Sequence, residues 1–171
     1  MDDRFADRVI PDPGFSGDDG AASADVDAAL RAYEAGQAGH HATLAVLAGS
    51  RLLVPVVAVL GEVEYDAAGL AHDKSSDMAT VLVTGRDGRQ ALLAFTGTES
   101  LTRWRADARP VPVAASLAAR SAVQEGAAAL VVDIAGPVRF VVSGDDLAGL
   151  ARGWRLSRVG DGYAWIGAEA E

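Results

Sequence analysis

The stretch from residue 78 to residue 95 constrains this chain more than any other. It reads MATVLVT, then Gly85-Arg86-Asp87-Gly88-Arg89, then QALLAF. Two apolar, β-prone runs separated by a short Asp-Gly loop can pair antiparallel with little loop entropy, so the spacing predicts a β-hairpin. Arg51 to Val59 (RLLVPVVAV) is β-branched and almost wholly apolar. It reads as a strand covered on both faces, which requires helices on the sheet. Pro55 removes one ladder donor, so this strand is expected at an edge or bulged there. Ala129 to Asp133 (ALVVD) and Val138 to Val142 (VRFVV) flank an Ala-Gly-Pro turn and give two more strands.

Helical signals alternate with these strands. Ser23 caps a segment with Asp25 and Asp27 in its first turn and Val26, Leu30 and Tyr33 on one face, and Gly36 stops it. A second helix runs from about His41 to Ala48. Thr98 is expected to cap a short third, with Leu101 and Trp104 at i, i+3. Arg109 to Val113 (RPVPV) is extended, because a residue before proline avoids the helical region. Ala114 to Gln124 is helical, with Leu117, Ala118 and Ser121 marking its face, and Ser143 caps a last helix through Leu147, Leu150 and Ala151. The fold class expected is α/β: a single domain with a mixed, mostly five-stranded sheet and helices packed on it.

The 171 residues suffice for one domain. Residues 1–22, with Pro11, Pro13 and several Asp and Gly, read as a flexible acidic tail, residues 23–153 as the domain, and 154–171 as an extension. Within that extension, alternation around Gly160-Asp161-Gly162 is consistent with a hairpin. The net charge is −9, with 15 Lys+Arg against 24 Asp+Glu. That balance disfavours direct binding to nucleic acid or anionic membranes. There is no cysteine, hence no disulfide and no thiolate chemistry. The N-terminus lacks a signal-peptide pattern, and the longest apolar run, Leu52 to Leu60, falls short of the roughly 20 residues of a membrane helix. A cytoplasmic location is expected.

Few side chains suggest chemistry. His72-Asp73-Lys74-Ser75-Ser76-Asp77 is the densest reactive set. Lys74 beside Ser75 raises the idea of an activated hydroxyl, but neighbours on an extended chain point apart, so a polar loop or a ligand contact fits better. His40, His41 and His72 lack metal-ligand spacing, and adjacent histidines at a helix start are expected to face apart. The Gly85–Gly88 loop lacks the G-K-[ST] ending of a phosphate loop. Arg103, Trp104, Arg105 and Arg109 form a basic and aromatic cluster in an acidic protein, a composition found at interaction hot spots. It is equally consistent with a helix packed by Trp104 or with arginines paired to the acidic tail. No cofactor or metal site is expected.

Several of these segments, in order, carry a family resemblance. They are RLLVPVVAV (51–59), HDKSSDMATVLVTGRDGRQALLAFTGTESLTRW (72–104), ARPVPV (108–113) and EGAAALVVDIAGPVRFVVS (125–143). The set resembles the SseB N-terminal-domain family, the bacterial "enhanced serine sensitivity" proteins, in their actinobacterial form, over about residues 25–153. The resemblance implies an α/β domain treated as accessory or regulatory, without an assigned catalytic residue. Lys74, Ser75, Ser76, Asp77, Thr96, Glu99 and Trp104 fall on the family pattern. The expectation is therefore a non-enzymatic regulatory or protein-interaction domain with an unknown protein partner. Its expected surface is Lys74, Ser75, Ser76, Asp77, Arg103, Trp104, Arg105 and Arg109. The alternatives are a small-molecule enzyme or ligand-binding protein linked to serine or sulfur metabolism, and a translation-associated accessory factor.

Overall fold

The computed structural model describes residues 14–59, 64–65, 71–72 and 77–167, and of residues 57–79 only the backbone. The elements in chain order are α1 (Ala24–Glu34), α2 (His40–Ala48), β1 (Arg51–Val59), β2 (Glu64–Tyr65), β3 (Ala71–His72), β4 (Asp77–Thr80), β5 (Leu82–Thr84), β6 (Gln90–Ala94), α3 (Thr98–Trp104), β7 (Arg109–Ala114), α4 (Ala115–Gln124), β8 (Ala129–Val132), β9 (Phe140–Ser143), α5 (Gly144–Ala151), β10 (Arg155–Val159) and β11 (Gly162–Ile166). The class is mixed α/β.

The hairpin of β5 and β6 forms with Leu82 opposite Leu92 and Thr84 opposite Gln90. Its loop closes by a Gly85 N–H to Arg89 bond of 2.8 Å, and Gly88 supplies the positive φ of 78° that the turn needs. The expected single five-stranded sheet is instead two: a three-stranded sheet β4-β1-β7 and a four-stranded sheet β5-β6-β8-β9, with the pairs β2-β3 and β10-β11 beside them. All contacts in the four-stranded sheet are antiparallel except β6 with β8, which run parallel. The two larger sheets meet where Leu53 and Phe95 exchange main-chain hydrogen bonds of 2.7 and 2.8 Å.

Pro55 does not put β1 at an edge. That strand has β7 on one side over Arg51–Val56 and β4 on the other over Val56–Val59. Leu53 turns its N–H towards Phe95, so residue 55 turns the same way, into the gap where the neighbour changes from Phe95 to β4. The missing donor therefore costs the sheet no ladder bond.

Helices α1, α2, α4 and α5 bury one face of the four-stranded sheet. Leu92, Leu130, Val132, Phe140 and Val142 meet Leu30, Leu44, Leu47, Ala118 and Leu150 there. The opposite face holds a smaller cluster of Leu53, Leu93, Phe95, Leu101 and Ala108, with Trp104 packed against it. Each such leucine contributes about 1.5–3 kcal/mol by leaving water. The buried face of α4 is Ala115, Ala118, Ala119 and Ala122, while Leu117 is exposed. Small side chains let this helix sit close to the sheet, so its apolar periodicity is carried by alanine.

Ser23 caps α1 as its position predicts, accepting from Val26 N–H at 3.3 Å. Thr98 does not cap α3: Gly97 holds that place, and the Thr98 hydroxyl donates to the Gly20 carbonyl at 3.0 Å. Residues 14–22 have no helix or strand, yet they lie against the body. Arg51 binds Asp18 and the Ala21 carbonyl (both 2.7 Å) while also holding the Thr96 carbonyl at 2.8 Å. No helix among the described residues is long and apolar enough to cross a membrane.

Candidate binding cleft around Asp133

The parallel strands β6 and β8 end side by side, and ligand sites in such sheets lie beyond the carboxyl ends. Past β6 the chain runs through Thr96 and Gly97 into α3. Past β8 it reaches Asp133, which stands at φ 51°, a left-handed conformation that Asp tolerates better than most residues. Its carboxylate accepts the Thr96 N–H at 2.9 Å and the Thr96 hydroxyl at 2.7 Å. The side chain thereby ties the two strand ends together. The Ser100 hydroxyl, 3.0 Å from the Gly97 carbonyl, also lies against this carboxyl, with one proton to serve either acceptor.

Asp133 is 1% exposed. Burial pushes its carboxyl above the ordinary carboxylate value, while the Ser100 and Thr96 bonds and the Arg103 charge pull the other way. Desolvation disfavours the charged form, and these donors only partly compensate.

Above this tie opens a cleft of about 580 Å³. Its walls are the 19–22 arm, the exposed side of α1 at Asp27 and Arg31, the start of α3, and the turn at Pro137 and Val138. Gly97 is required by the arm, since a Cβ there would stand 2.7 Å from the Ala22 nitrogen. The Thr98 N–H donates to Gly20 at 2.7 Å, so the arm's own carbonyl meets the first turn of α3. Two arginines border the opening. Arg31 is paired with Asp27, and Arg103 with Glu99 at 3.0 Å, each one helical turn away and solvent-exposed.

The residues singled out from sequence fall in different places. Lys74, Ser75 and Ser76 lie outside the described residues. Asp77 opens β4 opposite Val59, and Arg109 opens β7 opposite Val56, so the two stand on either side of β1. Arg103 lines the cleft. Trp104 is half-buried, its ring 5.5 Å from Phe95, with the Arg105 guanidinium 5.6 Å from its centroid. Arg105 itself pairs with Asp107 at 3.4 Å. Thus only Arg103 of the basic cluster reaches the cleft, and the arginine that holds the acidic arm is Arg51.

The histidines also depart from expectation. His40 and His41 do not face apart, because both bring Nε2 to the same Asp146 oxygen, at 3.5 and 3.3 Å. His40 stacks on Phe140 with 4.6 Å between ring centres, which swings it round the helix start. Among the described residues no group of three His, Asp or Glu has metal-holding geometry. Asp133 and Ser100 were missed from sequence. The available signals were an Asp closing an apolar strand and hydroxyls at the next strand end.

Fold and cleft together define a mixed α/β domain with an open, charge-rimmed recess beyond its parallel strands. The chain belongs to the SseB protein N-terminal domain family, whose model matches residues 26–149. That span runs from α1 into α5 and includes Thr96, Ser100, Arg103 and Asp133. No curated protein and no solved structure matches the chain.

Proposed function

We propose that this SseB-family chain is a cytoplasmic, non-enzymatic regulatory domain that binds a protein partner at the cleft beside α3. The observation that carries this reading is the state of the two rim arginines. The ion pairs of Arg31 and Arg103 among the described residues are each with an exposed carboxylate at i,i+4, a contact of small net value that an incoming carboxylate can replace cheaply. The rim also offers Asp19, Asp27 and Glu99, so it suits a polypeptide segment bearing both signs of charge. Asp133 supports binding over turnover, because both its oxygens already serve Thr96 and its side chain is closed to solvent.

The test is retention from native lysate on immobilised full-length chain, read by quantitative mass spectrometry. A specific protein retained by wild type and by Arg105→Ala, but lost with Arg103→Ala, is the expected result. No retained protein, or equal loss with both variants, contradicts the proposal. A small-molecule site is the second reading, favoured by the raised carboxyl of Asp133 beside a cleft. It predicts a metabolite that protects wild type, but not Asp133→Asn, from thermal unfolding.

A further inference from the structure

We propose that the chain pairs with a second copy of itself along strand β9, joining two four-stranded sheets into one. The argument begins with the direction of the main-chain groups. In β6, Leu93 donates to Val81 and Phe95 to Leu53, so odd residues there face away from β8. The Ala94 carbonyl takes the Asp133 N–H at 3.0 Å, so odd residues of β8 face β6 and even ones face β9. Leu130–Val142 and Val132–Phe140 are therefore the hydrogen-bonded pairs of the β8–β9 ladder. Val141 consequently turns its N–H and C=O outward, and Ser143 its N–H (its C=O opens α5), along an edge that no described strand covers.

An outer strand of the three-stranded sheet is treated differently. In β7, Pro112 and Pro110 stand opposite Leu53 and Pro55, residues that turn their main chain away from β7. The prolines therefore point outward, removing two donors from that edge without costing a ladder bond. This is a standard protection against strand addition. Strand β9 has no proline, and its outward side chain Val141 is 41% exposed.

Charge complementarity selects a second copy as the occupant. An antiparallel pair with its two-fold axis at Val141 sets Val141 against Val141 of the partner subunit and Arg139 against Ser143 of the partner subunit. Asp145 of the partner subunit, in the first turn of α5, stands two residues further on. Arg139 and Asp145 are exposed and carry no ion pair among the described residues, and the axis lets each meet the other twice. Arg139, Val141 and Ser143 also line a shallow concavity of about 400 Å³ with Val83, Ala129 and Val131. Pairing extends that apolar floor across the axis.

Sedimentation equilibrium on the full chain, from roughly 1 to 200 µM, tests this in the range where small interfaces dissociate. A monomer–dimer equilibrium is expected. Val141→Lys sets two like charges on the axis and should weaken it about tenfold or more. Arg139→Glu should weaken it as well, and adding Asp145→Arg should restore it. Circular dichroism confirms the fold of each variant, and the charge swap keeps the test valid if Val141→Lys fails to fold. A monomer at every concentration overturns the proposal, as does a dimer indifferent to these changes. So does a monomeric chain that takes an extended peptide of another protein along β9.

Discussion

Two aspartates, Asp133 and Asp146, do similar work at different depths. Asp133 is buried and joins the end of β8 to the entry of α3 through Thr96. The side chain of Asp146 is 20% exposed. It accepts the Trp165 indole N–H at 2.9 Å and faces His40 and His41, so it ties the β10–β11 hairpin to α2 and α5. The first tie lies inside the span shared with the SseB family, whereas the second holds a hairpin beyond it. Donors in water are replaceable and sealed ones are not, so the same carboxylate chemistry should be worth more at the first site than at the second.

Asp133→Ala breaks that comparison most sharply. It leaves the Thr96 N–H and hydroxyl without an acceptor in a closed site, and should cost about 2–4 kcal/mol in urea unfolding. Gly149→Ala follows. A Cβ there would stand 2.5 Å from the Trp165 ring, which must move. A loss of about 1–3 kcal/mol is expected, with a shift in tryptophan fluorescence as Trp165 leaves Asp146. Trp165→Phe deletes the N–H to Asp146 together with the five-membered ring of a partly buried side chain, so about 0.5–2 kcal/mol should be lost. If Trp165→Phe costs as much as Asp133→Ala, depth is not what separates the two ties.

The smallest expected effect is on pH dependence. Asp133 holds its proton more tightly folded than unfolded. Its contribution to stability is therefore present below the ordinary carboxylate range and lost as pH rises through the raised folded value. Stability curves of wild type and Asp133→Asn across the acid range should differ by that component, with wild type losing relative stability as pH rises. Parallel curves would show that the carboxyl titrates normally.

What was legible in the sequence was local. The β5–β6 hairpin follows from one Asp-Gly turn between two apolar runs, and the cap of α1 from Ser23 alone. The face of α4 was misread because Leu117 is the larger apolar side chain, whereas close approach to the sheet selects alanine. Pro55 was misread because its cost depends on which way residue 55 faces, and that is set by Phe95, 40 positions away. The site was less legible still. Thr96 and Asp133 are 37 residues apart, and Asp18 and Arg51 are 33 apart. Neither pairing has a spacing signal, since the topology of the parallel strands and the path of the arm bring them together. Of the basic cluster, the i,i+4 relation of Arg103 to Glu99 could be read directly, but the cleft it borders could not.

The most direct test sets Asp133→Asn against Arg103→Glu in the same partner-retention assay, with both folds verified by circular dichroism. If the domain works by binding at the cleft rim and Asp133 is a sealed tie, the asparagine variant retains the partner and the glutamate variant releases it. Partner loss, or loss of a turnover reaction, in folded Asp133→Asn while Arg103→Glu behaves as wild type would contradict the account.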